Sequence, residues 1–412
     1  MDPLMANSSR DDRTMNEHLF AGFGFGPIQS GLFAAEAFKS GRFKRIVIAE
    51  VDPMLVGALR ANHGRYVVNV ASFDGIRTER IDGIECFNPA VEQDRRELVN
   101  ALSQATEIVT ALPSVDFYDR GSTSVASLIR QGLQHSTAHA TLIYAAENNN
   151  HAAGILEDKV RFRPDHPVQY LNTVIGKMSQ VVTDKNEIVE KHLTPIAPGI
   201  DRAFLVEEFN RIYVTQCTIP GFGPGIPVFI EKTDVLPFEE AKLYGHNAIH
   251  ALLAYLAAQK GYTKMAEVEH DAEVMQIARD AFIHESGQAL IKKYAHLHED
   301  LFTPAGYRAF AEDLLKRMTN PWLADTVERA ARDPRRKLAE NDRLFGTMRL
   351  CLEQGVEPSN MAKGAAAGIA YFIRQAGLAA DTSYEQALRL LWTTDSVPFQ
   401  TELTRLLRKA RS

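Results

Sequence analysis

The sequence predicts an α/β domain with a mainly parallel sheet, followed by a mostly α-helical domain. In the N-terminal half, short apolar runs alternate with amphipathic segments, and a glycine-rich turn follows the first run. After Pro237, apolar residues recur at spacings of three and four almost to the end of the chain. We therefore expect a flexible N-terminal arm at 1–17, a Rossmann-type domain at 18–198 and a helical domain at 199–412.

The predicted elements of the N-terminal domain begin with a β-α-β unit, in which the helix ends at Gly41. The predicted strands are short apolar runs at 18–26, 45–51, 107–112, 141–147 and 205–214. Between the third and fourth of these, residues 123–134 have helical periodicity. Residues 218–227 are rich in proline and glycine and are predicted to be a loop.

Composition and charge exclude several classes of protein. The 412 residues contain 46 Lys and Arg against 52 Asp and Glu, so the net charge of −6 argues against a general nucleic-acid or membrane-surface binder. The N-terminus lacks the apolar core of a signal peptide, and the apolar stretch at 248–258 is too short to span a membrane. Cys86, Cys217 and Cys351 are widely separated, which indicates buried residues of a reduced, cytoplasmic protein.

The glycine-rich turn contains Gly22, Gly24 and Gly26. Glycines between a strand and a helix allow the backbone to approach a pyrophosphate, which the helix N-terminus then binds. The match to G-x-G-x-x-G is imperfect, because Gln29 stands where the third glycine belongs. An ordinary turn is the alternative to a dinucleotide site.

A carboxylate follows the second predicted strand. Glu50 lies 24 residues beyond Gly26, where an acidic side chain can bind the adenosine ribose of NAD. The same charge would repel the 2′-phosphate of NADP, so NAD is the expected cofactor. Asp52 is the alternative for this role.

Three polar residues project from one face of a predicted helix. At about 100° per residue, Lys242, Asn247 and His250 lie within one arc of about 140°. Such a set suits the interconversion of an alcohol and a ketone: the lysine moves the hydroxyl proton, the asparagine stabilises the alkoxide and the histidine orients a hydroxyl. His246 also falls in this arc, and a solvated helix face is the alternative interpretation.

A cluster of asparagines follows the predicted strand at 141–147. Ligands bind at the carboxyl ends of strands in doubly wound sheets, so Glu147 and Asn148–Asn150 are candidate site residues. A simple turn explains the asparagines equally well.

A basic cluster occupies residues 333–344. Arg335, Arg336, Lys337 and Arg343 form a local positive excess. The candidates for binding a phosphate group are Arg336, Lys337 and Arg343. A solvated face is again the alternative.

Taken together, these segments resemble the polyol-specific long-chain dehydrogenases, from about residue 18 to 380. The signature K-x4-N-x2-H of that family is met by Lys242, Asn247 and His250, and residues 319–344 match it closely. The resemblance implies that Lys242 is the general acid/base, that Asn148 and Asn247 stabilise the alkoxide, and that no metal is needed. The family is often monomeric, which leaves a monomer or a small homo-oligomer.

The activity that the resemblance implies is NAD-dependent interconversion of a polyol and a ketose, most directly mannitol 1-phosphate and fructose 6-phosphate. The departures at Gln29, 173–180 and 219–234 bear on the substrate more than on the chemistry. An unphosphorylated polyol or a hexuronate is the nearest alternative substrate. A non-catalytic NAD-binding sensor is the alternative from another functional class.

Overall fold

The structure is a computed structural model that describes residues 18–392 and 399–411. The predicted arm at 1–17 lies outside the described residues. The chain divides into two compact units, one ending at Val235 and one beginning at Leu236. The described strands lie in the first unit, whereas the second is built of helices. This division confirms the predicted fold class.

The strands of the first unit form two sheets. The strands are β1 (His18–Phe23), β2 (Phe43–Ala49), β3 (Tyr66–Ala71), β4 (Ile76–Ile81), β5 (Ile84–Phe87), β6 (Glu107–Thr110), β7 (Thr141–Ala145), β8 (Val168–Ile175), β9 (Ser179–Val182), β10 (Ala203–Glu207), β11 (Ile212–Thr215) and β12 (Phe229–Lys232). The large sheet has the order β12-β11-β8-β7-β6-β1-β2-β5, and the small sheet has the order β4-β3-β10-β9. In the large sheet, the neighbours from β5 across to β8 are parallel.

The central strands of the large sheet are buried on both faces. Phe20, Ile46 and Ile48 point into one hydrophobic core, whereas the alternate residues Leu19 and Val47 point into another. This burial explains why β1 and β2 are nearly continuous apolar runs, as expected of central parallel strands. The helices of this unit are α1 (Ala35–Ser40), α2 (Pro53–Ala61), α3 (Glu92–Gln104), α4 (Val125–Gln134), α5 (Ala152–Val160) and α6 (Lys185–Glu190).

Helices form the second unit around a central, buried helix. They are α7 (Leu236–Glu240), α8 (Ala248–Lys260), α9 (Ala272–Asp280), α10 (Gln288–Tyr294), α11 (Pro304–Met318), α12 (Val327–Ala331), α13 (Pro334–Lys337), α14 (Arg343–Glu353), α15 (Ser359–Gln375), α16 (Tyr384–Leu391) and α17 (Gln400–Arg411). α8 is apolar on nearly every side and is almost wholly buried. α15 packs tightly on α8, since a Cβ atom at Gly364 would lie 2.6 Å from Cγ of Leu252.

The structure differs from the sequence-based expectation at the last predicted strand of the first unit. The single strand expected at 205–214 is two strands, because the chain leaves the small sheet at Glu207 and enters the large one at Ile212. The chain divides after Val235, whereas the sequence analysis divides it after residue 198. β10, β11 and β12 pair with earlier strands and so belong to the first unit. Among the described residues, no helix combines the length and apolarity that crossing a membrane requires.

Candidate active site

The glycine turn connects β1 to a helical segment that begins after Gly26. Gly24 has a φ of 81°, a left-handed conformation that favours glycine, and its N–H donates to the carbonyl oxygen of Ala49 at 2.9 Å. A Cβ atom at this position would also lie 3.0 Å from the carbonyl oxygen of Ala111. The backbone therefore passes close to the ends of two neighbouring strands, β2 and β6, as a pyrophosphate-binding turn requires.

Gln29 replaces the third glycine of the motif without blocking the turn. Its side chain is fully buried against Gly22, where a Cβ atom would lie 1.9 Å from Nε2 of Gln29. Gly22 thus leaves the space that Gln29 fills. Neither polar atom of the Gln29 side chain has a hydrogen-bond partner among the described residues.

Glu50 is held at the carboxyl end of β2 by backbone donors. Its carboxylate accepts hydrogen bonds from the N–H groups of Phe25 and Val51 at 2.7 Å and of Asp52 at 2.8 Å. Two carboxylate oxygens offer about four lone-pair sites, so Glu50 retains acceptor capacity for a ribose hydroxyl. The carboxylate of Asp52 instead caps α2 and pairs with Arg202 at 2.6 Å, which favours Glu50 for the ribose.

These residues surround a cavity of about 650 Å³ within the first unit. The cavity lies at the carboxyl ends of β1, β2, β6 and β7, and its walls are mostly apolar. Gly24, Gly26, Glu50 and Arg120 are among its lining residues. Apolar walls, a glycine turn at the start of a helix and one carboxylate can together hold a dinucleotide.

The asparagine cluster follows β7 at the same edge of the sheet. Glu147 is buried and accepts hydrogen bonds from the Thr110 hydroxyl at 2.9 Å, from the N–H of Leu112 at 2.8 Å and from the Tyr118 hydroxyl. Asn148 lies beside it in an exposed bend. Its predicted role at the alkoxide stays a prediction.

In the second unit, Lys242 and Asn247 lie in one π-helical segment, Ala241–Asn247, which joins α7 to α8. π-helical hydrogen bonds join residues five apart, and these two residues have that spacing. They therefore project closer together than the α-helical geometry of the sequence analysis predicts. The assumption of α-helical geometry is wrong for this segment. In the π-helical geometry, the amine of Lys242 and the amide of Asn247 lie on the same side of the helix.

Hydroxyl groups of neighbouring segments and a glycine of its own accommodate the π-helical segment. The carbonyl oxygen of Tyr244 accepts hydrogen bonds from the hydroxyls of Ser286 at 2.8 Å and of Thr347 at 3.1 Å. A Cβ atom at Gly245 would lie 2.8 Å from the Tyr307 hydroxyl. Close packing and side-chain donors thus replace the α-helical hydrogen bonds that the bulge interrupts.

Lys242 has the electrostatic environment of a proton-transfer group. Burial and the nearby charge of Arg343 lower the pKa of Lys242 to about 8, although the charge of Glu239 opposes them. A lysine with a pKa near working pH can both accept and donate a proton.

The two histidines of this helix differ in their surroundings. His246 is buried, and burial together with the charge of Arg317 holds its pKa well below the usual range. His250 is 21% exposed, and its Nε2 lies 2.8 Å from Oδ2 of Asp325. His250 is therefore the more accessible of the two to a ligand.

The members of the basic cluster do not all behave alike. Arg343 is buried and pairs with Asp342 at 2.6 Å. The Lys337 ammonium donates to a backbone carbonyl oxygen, and burial with the charge of Arg343 lowers its pKa to about 7. Arg336 is half exposed and pairs with Asp333 at 3.1 Å. The charge of Arg343 thus acts on both Lys242 and Lys337. Arg336 is exposed and pairs with Asp333, which caps its own helix.

Comparison with known proteins agrees with this description. Residues 234–387 match the model of the mannitol dehydrogenase C-terminal domain. The mannitol-1-phosphate 5-dehydrogenase of Bacillus licheniformis is 30% identical over 354 residues, covering 85% of this chain and 86% of that protein. The chain belongs to the mannitol dehydrogenase family. The enzyme of the same name from Penicillium rubens is 28% identical over 336 residues, 81% of this chain and 80% of that protein.

Solved structures show the mannitol dehydrogenase fold in this chain. A D-sorbitol dehydrogenase in substrate-free form matches with a TM-score of 0.71 and 13% identity, covering 95% of this chain and 92% of that chain. Mannitol 2-dehydrogenase of Pseudomonas fluorescens, in a ternary complex with NAD and D-mannitol, matches with a TM-score of 0.69 and 17% identity, covering 96% and 91%. The matching domain model and the sequence relatives confirm the resemblance at the level of the family, which makes the protein an oxidoreductase.

Proposed function

We propose that this protein is an NAD-dependent polyol dehydrogenase that interconverts mannitol 1-phosphate and fructose 6-phosphate. The proposal rests on the lowered pKa of Lys242 and on its position in the same π-helical segment as Asn247, which together suit proton transfer at an alcohol. Relatives that span most of this chain are mannitol-1-phosphate 5-dehydrogenases, which supports the substrate.

In polyol oxidation, neutral Lys242 accepts the hydroxyl proton while the carbinol C–H bond breaks. The amide of Asn247 donates a hydrogen bond to the developing alkoxide, and Asn148 is proposed as the second donor. His250 orients a substrate hydroxyl. In ketose reduction, the Lys242 ammonium returns the proton to the new hydroxyl oxygen.

We assign NAD to the cavity of the first unit. The glycine turn and the helix that follows it fit the pyrophosphate, and Glu50 fits the adenosine ribose. NAD, when bound, supplies the hydride acceptor for oxidation and the hydride donor for reduction. The mechanism uses no metal, since Lys242 serves as the activating group. A cytoplasmic location and a monomer or small homo-oligomer stay predictions.

For the substrate phosphate we propose Arg343 and Lys337, with Arg336 at the exposed end of the cluster. Arg343 is the central member because its charge acts on both Lys242 and Lys337. A phosphate bound here would lie in a region of excess positive charge, which favours it strongly.

A second candidate is a sister enzyme that acts on an unphosphorylated polyol or a hexuronate. The engagement of Arg336 with Asp333 and of Lys337 with the carbonyl oxygen of Ala330 favours this alternative, because both cations already have partners.

The experiment is NADH oxidation with fructose 6-phosphate, fructose and a hexuronate, measured side by side. The proposal expects rapid oxidation with fructose 6-phosphate alone. Activity with fructose or the hexuronate instead would keep the lysine mechanism but identify the protein as the sister enzyme. NADH binding without turnover of any of the three would contradict catalysis and favour a non-catalytic sensor.

A further inference from the structure

The histidine of the K-x4-N-x2-H motif hydrogen-bonds to a buried carboxylate that lies 75 residues further along the chain. Nε2 of His250, on α8, lies 2.8 Å from Oδ2 of Asp325, whose side chain is only 5% exposed. We propose that Asp325 is a positioning residue that fixes the tautomer and the ring orientation of His250. This inference rests on the proposed function, in which His250 orients a substrate hydroxyl.

Hydrogen bonds fix both the side chain and the backbone of Asp325. Its second carboxylate oxygen accepts a hydrogen bond from Nε of Arg329 at 2.9 Å, and its carbonyl oxygen accepts one from the N–H of Met265 at 2.9 Å. The preceding residue, Ala324, has a φ of 55°, which is uncommon for a residue with a Cβ atom. Such a backbone conformation persists only where its surroundings enforce it, and it occurs frequently at functional sites.

The charge of Asp325 determines which imidazole nitrogen carries the proton. Burial alone would raise its pKa, but the hydrogen bonds and charges of His250 and Arg329 lower the pKa to about 2. Asp325 is therefore ionised at any working pH and can only accept hydrogen bonds. The proton of a neutral His250 must then lie on Nε2, so Nδ1 keeps its lone pair.

This tautomer gives His250 a defined role. Nδ1 becomes an acceptor for a substrate hydroxyl group, which complements the amide of Asn247 as a donor. The ligand class that the pair recognises is a chain of adjacent hydroxyl and carbonyl groups. Asp325 itself acts only through the imidazole.

A double-mutant cycle tests this coupling. Asp325→Asn offers an N–H in place of an oxygen and favours the other tautomer. In the wild-type background it should lower kcat/KM for the ketose by about 10- to 100-fold, the effect of losing one charge-assisted hydrogen bond. In a His250→Ala background, the same substitution should change kcat/KM by less than about twofold, because the partner is gone. Equal losses in both backgrounds would overturn the inference.

A matched control uses another aspartate near a histidine of this unit. Asp280 lies 4.0 Å from His284 in a more exposed pair, and Asp280→Asn should leave kcat/KM unchanged. Wild-type turnover is measured in parallel. If the wild-type protein reduces no ketose, the proposed function fails. If it does and the cycle is additive, only the role of Asp325 fails.

A measurement on the unaltered histidine removes any dependence on how the variants fold. The ¹⁵N resonances of the His250 ring in the full chain, assigned with His250→Asn, report which nitrogen is protonated. A protonated Nε2 with a bare Nδ1 at high pH is expected. A neutral ring protonated at Nδ1 would contradict the inference.

Discussion

Burial and the nearby guanidinium of Arg343 together lower the pKa of Lys242 to about 8. Arg343→Gln should therefore raise this pKa. Oxidation of the polyol needs neutral Lys242 and increases as pH rises through this pKa, whereas ketose reduction needs the ammonium and decreases there. Both pH profiles of kcat/KM should move to higher pH in Arg343→Gln, while Arg343→Lys should keep them nearly in place. If the pH profiles of Arg343→Gln stayed unchanged, the charge of Arg343 would not lower the pKa of Lys242.

The same shift predicts that Lys242 costs the protein stability. Its folded pKa of about 8 lies below the usual lysine value of 10.5, so below pH 8 the folded state carries a charge that burial disfavours. The cost is about 3 kcal/mol at neutral pH. It falls as pH rises from about 8 to 10.5, because in this range only the unfolded state stays protonated. Lys242→Met should therefore unfold at higher urea concentration at pH 7 and lose this advantage at high pH. A variant less stable at every pH would contradict the account.

Gly22 and Gln29 should behave as a coupled pair. Gly22→Ala would place a Cβ atom 1.9 Å from Nε2 of Gln29, so we expect a loss of about 1–3 kcal/mol in the free energy of unfolding. Gln29→Gly in the same chain should recover most of this loss, because it removes the obstructing side chain. Urea denaturation of the two single variants and the double variant measures the coupling. Additive losses would show that the two residues are independent.

Glu50 should determine the preference between NADH and NADPH. Glu50→Gln removes the charge that repels a 2′-phosphate, so the ratio of kcat/KM for NADPH to that for NADH should rise about tenfold. Asp52→Asn is the control, since the carboxylate of Asp52 is engaged by Arg202 and by the start of α2. If Asp52→Asn changed the ratio and Glu50→Gln did not, Asp52 and not Glu50 would be the residue that binds the adenosine ribose.

The sequence predicted those parts of the fold that depend on local patterns. β1, β2, β6 and β7 are short apolar runs because both faces of the sheet are buried, and their positions followed directly. The small sheet escaped prediction because β4 is half exposed and polar, and because the pairing of β3 with β10 depends on contacts distant in the sequence.

The candidate site shows the same limit. The residue types and spacing of Lys242, Asn247 and His250 were visible in the sequence, but the π-helical turn that aligns the first two depends on Ser286 and Thr347 from other segments. Asp325 carries no local signal of its pairing with His250.

The most direct test of the lysine mechanism is the turnover of Lys242→Ala with fructose 6-phosphate and NADH. We expect a loss of about 10²–10⁴-fold in kcat, while NADH binding and thermal unfolding show that the variant is folded. Lys292→Ala, which removes an exposed lysine of α10, should keep wild-type turnover. Near-normal turnover by folded Lys242→Ala would show that this lysine does not transfer the proton.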